Sequence, residues 1–120
     1  MDKVIYIDKE FPIQPEEDDF GNKEYKWKIV PEDDSKMNFK CNKLASQMMY
    51  RLYEGEGKAV YIIGILDNGL PVGLNETDIY KTITMFNNIT KIINCNINNI
   101  RMYNKNDNYI LTFRLSKEII

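Results

Sequence analysis

The chain has 120 residues, 43% of them hydrophobic and 28% charged, which fits one soluble globular domain able to remove about two-thirds of its unfolded surface from water. With no histidine and only two cysteines, a zinc site and a histidine-activated nucleophile are both excluded as expectations. The net charge of -2 hides an asymmetry: residues 1–34 hold five Lys against eleven Asp or Glu, while residues 35–120 hold eleven Lys or Arg against seven acids.

Residues 1–21 read as an acidic extended leader preceding a single domain at 22–120. Val4-Ile5-Tyr6-Ile7 is long enough for a short edge strand and too short for a signal peptide, so a cytoplasmic location is expected. Phe11-Pro12-Ile13-Gln14-Pro15 must be extended, because each proline restricts the residue before it. Glu16-Glu17-Asp18-Asp19 reads as a solvated run, and the whole leader is expected to contribute little to folding.

Lys23 to Val30 alternates as a strand, with Tyr25, Trp27 and Ile29 on an inward face and Glu24, Lys26 and Lys28 on a polar one. Asp34 or Ser35 then caps a helix from about Lys36 to Tyr53, whose stripe is Met37, Cys41, Leu44, Met48 and Leu52. Gly55 is the expected left-handed stop. Lys58 to Leu66, apolar on both faces, suits a central strand. Asp67-Asn68-Gly69 turns it into a partner strand at Leu70 to Leu74. A second helix from Thr77 or Asp78 to about Asn94 carries Ile79, Ile83, Phe86, Ile89 and Ile93. Strands at Ile97 to Tyr103 and Tyr109 to Leu115 close the chain. The predicted order is β-α-β-β-α-β-β. Two such helices can bury their stripes on one face of a single mixed, mostly antiparallel sheet, an α+β two-layer sandwich.

No phosphate-cradling glycine loop is present, so no nucleotide binding is expected. Asn104-Lys105-Asn106-Asp107 has the letters of a guanine-specificity tetrad, but it falls in a predicted hairpin turn and reads as coincidence. Glu24-x-Lys26 with Asp67 has the residue types of a metal-dependent nuclease site. Lys26, Lys28, Arg51, Lys58, Arg101 and Lys105 are the candidate phosphate-binding positions, with Lys81, Lys91 and Arg114 as further charge that could cluster, since lysine and arginine neutralise a nucleic-acid backbone without reading its sequence. Surplus tyrosines could stack on unpaired bases. Abundant Asn and Ile with scarce Ala match AT-rich coding, as in some large DNA viruses and protists.

Gly21-Asn22, Glu24-Tyr25-Lys26, Lys28, Gln47-Met48, Arg51-Leu52, Glu54-Gly55, Gly57, Ala59, Tyr61, Ile63-Gly64, Asp67, Gly69 and Val72-Gly73-Leu74 follow one another in an order that resembles the N-terminal domain of the GTP-binding protein 1/2 family, the elongation-factor-like translational GTPases. A weaker similarity is to the AlbA-like domain of Schlafen proteins. The first resemblance implies a non-enzymatic accessory module near the translation machinery, without cofactor or membrane, whose partner is RNA, the ribosome or a translation factor. GTP hydrolysis does not carry over, because the residues for it are not in this chain. A protein-interaction module that competes with or joins a related GTPase is the alternative, and the Schlafen similarity adds a metal-dependent nuclease.

Overall fold

In the computed structural model, residues 4–119 are described, and they form one five-stranded mixed sheet with two helices on one face. The strands are β1 (Val4–Glu10), β2 (Lys23–Lys26), β3 (Lys58–Ile63), β4 (Asn96–Lys105) and β5 (Asn108–Ser116). The helices are α1 (Met37–Glu54) and α2 (Glu76–Ile92). The sheet order is β1-β4-β5-β3-β2. The fold class is the expected α+β. The chain order gains β1 ahead of β2, and Leu70 to Leu74 forms no strand. That segment makes only single bridges, Ile65 to Pro71 and Leu74 to Tyr109. Pro71 has no amide to extend a ladder, and Gly64 and Gly73 hold left-handed φ of 107° and 92°.

β3–β5 and β4–β5 are antiparallel, whereas β2–β3 and β1–β4 are parallel. The sheet is therefore evenly mixed. A parallel neighbour needs a crossover, and α1 is the crossover between β2 and β3.

Asp33 rather than Asp34 or Ser35 supplies the first cap, accepting from the Ser35 amide ahead of a 3-10 turn at Asp34–Lys36. Asn75 caps α2, its Oδ1 accepting from the Asp78 amide at 2.9 Å. Gly55 is not the left-handed stop: Glu56 and Gly57 carry positive φ instead. Gly55 is needed for closeness, since a Cβ there would lie 1.9 Å from the Lys58 carbonyl oxygen.

The helix side holds the larger core. Leu44, Met48 and Leu52 of α1 and Ile79, Ile83, Phe86 and Ile89 of α2 pack on Ala59, Tyr61, Ile63, Ile100, Leu111, Phe113 and Leu115. Phe86 stacks on Phe113 at 3.8 Å between ring centroids and meets Tyr61 edge-on at 5.5 Å. A smaller cluster of Phe11, Tyr25, Ile62, Ile65 and Ile110 lies on the opposite face.

Phe11 overturns the expectation of a loosely attached leader. It is buried, with its ring edge-on to Tyr103 at 5.0 Å. The amides of Gln14 and Glu17 donate to the carbonyls of Gly69 and Asp67. A Cβ on Gly69 would lie 1.9 Å from the Gln14 oxygen, so this turn is built to receive the leader. Acidic composition hid the attachment, because most of these bonds use backbone atoms that any residue offers.

Trp27 corrects the alternation. β2 stops at Lys26, and Trp27 lies in a bend, 46% exposed. Tyr25 enters the smaller cluster and Ile29 the larger, so the three aromatic and apolar residues share no face.

Candidate nucleic-acid interface

Strand register places side chains on the face away from the helices. From β3 come Lys58, Val60 and Ile62; from β5, Ile110, Thr112 and Arg114; from β4, Asn99, Arg101, Tyr103 and Lys105. β2 adds Lys23, opposite Val60, and β1 adds Ile5, opposite Arg101. The leader covers the Tyr103 end of this face through Phe11. The other end stays open. Arg114 there stands between Val60 and Asn99, and Arg101 stands opposite Thr112. Among the described residues, no Asp or Glu takes a registered strand position on this face. Cations from four strands thus project from a surface without a registered counter-charge, which is an electrostatic footprint for an anionic polymer.

Two polar atoms on this face reach no partner among the described residues: Asn99 Oδ1 and Arg101 Nε are buried without a hydrogen bond. Asn99 sits just past an irregularity in β4 between Ile97 and Asn99. The extra residue, Asn98, turns its Oδ1 to accept from Ser116 Oγ at 2.9 Å. Asn22, Lys58, Val60, Asn99, Arg114 and Leu115 contribute to a shallow groove at this end.

The six sequence candidates separate. Lys58, Arg101 and Lys105 belong to this face. Lys26 does not: its register opposite Ile63 turns it toward the helix side, with Nζ 3.7 Å from Glu24 Oε2. Lys28 lies beyond β2, its Nζ 4.8 Å from the centre of the Trp27 ring and 3.9 Å from Asp78 Oδ2. Arg51 is no phosphate contact. Its side chain is 4% exposed and donates from Nε to Glu24 Oε1 at 2.9 Å, and to the Gly21 and Asp18 carbonyls at 2.9 and 3.2 Å. Helical position alone could not show this, since Arg51 lies one residue from Leu52 at the margin of the apolar stripe. Sequence reasoning left Lys23 and Asn99 out of the site and counted Arg114 only among further cations that could cluster. The alternation of β5 gives Arg114 its face, since it shares parity with Thr112 and Ile110.

The Glu24, Lys26 and Asp67 trio does not form a metal centre. Both oxygens of Glu24 face cations of the chain itself, Arg51 and Lys26. Among the described residues, no group of three or more Asp, Glu, Cys or His is arranged to hold a metal ion. The acidic neighbour is Glu17, whose carboxylate accepts from the Tyr25 amide. Burial, opposed by that hydrogen bond and reinforced by the charges of Glu24 and Asp67, pushes its pKa up to about 6. No described helix is long and apolar enough to cross a membrane.

The chain is 37% identical over 90 residues to GTP-binding protein 2 of mouse and of human, which covers 75% of this chain and 14% of each relative. It is 35% identical over 98 residues to uncharacterized protein R625 of Acanthamoeba polyphaga mimivirus, which covers 81% of this chain and 50% of the relative. The chain thus spans about one-seventh of the length of the GTP-binding relatives and half that of the viral one. No family model matches, and no solved structure matches. The similarity supports a relation to GTP-binding protein 2; no likeness to Schlafen proteins was found.

Proposed function

We propose that this chain is a non-enzymatic binding module that docks on RNA, free or within the ribosome, through the open face of its sheet. The observation that carries the proposal is the convergence of Lys58, Arg101 and Arg114 on one face without a registered carboxylate. Lysine and arginine on a rigid sheet hold phosphates by charge and release counterions from them. The similarity to GTP-binding protein 2 supports a role beside a GTPase, and the resemblance to elongation-factor-like GTPases favours a place near translation. In this reading the module itself binds no GTP.

Binding of single-stranded RNA and of purified ribosomes, followed at two salt concentrations, tests the proposal. The K58A/R101A/R114A variant is expected to bind more weakly and with a shallower salt dependence, by roughly one unit of slope per lost contact. The melting curve of K58A/R114A should match the parent's, since exposed charges contribute about 0–1 kcal/mol, whereas the half-buried Arg101 carries a packing cost that R101A alone measures. Undiminished binding by the triple variant would place the interface elsewhere. Salt-insensitive binding would favour a protein partner.

A further inference from the structure

Two helices cannot roof five strands. A helix with its side chains is about 10 Å across and strands lie about 4.8 Å apart, so each helix covers about two strands. α1 packs on β3 and α2 on β4 and β5, and β1 overhangs beyond α2. Tyr6 marks the overhang: it stands on the helix side opposite Met102, half-exposed, and donates to Asn104 Oδ1 at 2.6 Å. Between the overhang and α2 runs a groove of about 250 Å³. That is less than the roughly 300–1,000 Å³ of a site for a whole small molecule and suits one long side chain.

The floor and inner wall of the groove are apolar, formed by Val4, Met102, Ile79 and Ile83. Its rim carries the only charged residue of the lining, Glu76, the first residue of α2, where the helix dipole keeps a carboxylate ionised. Among the described residues Glu76 forms no ion pair. Tyr80 lies one turn further along, so its exposed ring is a neighbour of that carboxylate. An apolar occupant would strip water from Glu76 and return nothing, and an anion would be repelled. A cation on an apolar stem suits floor, ring and carboxylate together. Arginine has that form: methylenes for the floor, a planar guanidinium that stacks on a ring, and paired donors for a carboxylate.

We infer that the groove between α2 and β1 anchors one arginine of a partner protein, its stem on Met102 and Ile83 and its guanidinium at Glu76 and Tyr80. The groove lies on the helix side of the sheet, away from Lys58, Arg101 and Arg114, so a protein here and a polyanion on the open face do not compete.

The test follows NMR signals of the full chain during titration with N-acetylarginine methylamide, with its uncharged citrulline analogue and with butylguanidinium. The blocked arginine is expected to shift signals of Val4, Ile79, Ile83 and Met102 saturably, with a Kd of about 1 mM for a ligand of its size. The citrulline analogue should bind about fivefold more weakly, the upper end for a partly exposed ion pair. E76Q should remove that difference, while Y80A should weaken both ligands and keep it. No saturable shift in the parent, arginine and citrulline binding alike, or a preference that survives in E76Q overturns the inference. Tighter binding of butylguanidinium than of the blocked arginine assigns the groove to a free small cation and overturns it too. If E76Q fails to fold by its melting curve, the parent's arginine-to-citrulline ratio decides.

Discussion

Arg51 serves three partners at once, and its fork of fixed donors suits that task where a lysine would not. It fastens α1 to β2 through Glu24 and to the leader through the Asp18 and Gly21 carbonyls. Removing one member of such a buried pair strands the other, so R51M is expected to lose about 3–5 kcal/mol in a denaturant titration. A loss under about 1 kcal/mol would show that water replaces the guanidinium there. Trp27 predicts the reverse. Half-exposed in a bend, it should lose about 0.5 kcal/mol or less as W27A, a cost typical of surface positions, measured in the same titration. Glu17 sets a pH dependence. Its folded pKa of about 6 lies above the ordinary 4.5, so the fold prefers the protonated carboxyl. That contribution is present below about pH 4.5 and is lost as pH rises through about 6. The groups around it are Glu24, Asp67 and the Tyr25 amide, with Arg51 held beyond Glu24. E17Q, which stays neutral, should melt higher than the parent near neutral pH, with the gap narrowing on acidification. A gap that instead widens toward low pH would mean that the charged carboxylate stabilises the fold.

At the scale of elements, the leader is the part whose role changed most between sequence and structure. β1 extends the sheet beside β4, Phe11 closes the smaller cluster, and residues 14–17 clasp the turn at 67–69. F11A is expected to cost about 3 kcal/mol, the low end of the range for a buried phenylalanine, because its ring sits at the margin of the sheet. Deleting residues 1–21 should cost more, since it also removes β1 and two of the three acceptors of Arg51. Melting of the truncated chain at the parent's temperature would show that the leader only rests on the sheet. β2 is the opposite case. Four residues suffice because α1 pins it from the helix side and Tyr25 from the other.

Across the whole molecule, the two charge populations lie apart. The acidic leader crosses the Tyr103 end of the open face, Lys58 and Arg114 stand exposed at the other end, and the half-buried Arg101 lies between. A net charge of -2 would therefore mislead about affinity for a polyanion. The expected salt slope for RNA follows the local cations, roughly two to three units if each of the three meets one phosphate. A titration of log affinity against log salt measures it, and a slope near zero would remove the phosphate contacts from the reading.

The sequence by itself determined both helices, β3, the closing hairpin and the α+β class. Each is written in local periodicity: Leu44, Met48 and Leu52 recur at helical spacing, and Ile62 and Ile63 fill opposite faces of one strand. The turn at Asn106-Asp107 is equally local, with Asn106 at φ 53°. Only the tertiary structure decided the partners. Glu24 and Arg51 are 27 residues apart, and nothing in either segment announces that they bury each other. Lys58, Arg101 and Arg114 share a face because β5 runs between β3 and β4, a register that no single strand contains. Local pattern tells each residue which side of its element it occupies; only the packing of elements decides which charges meet and which remain open to a ligand.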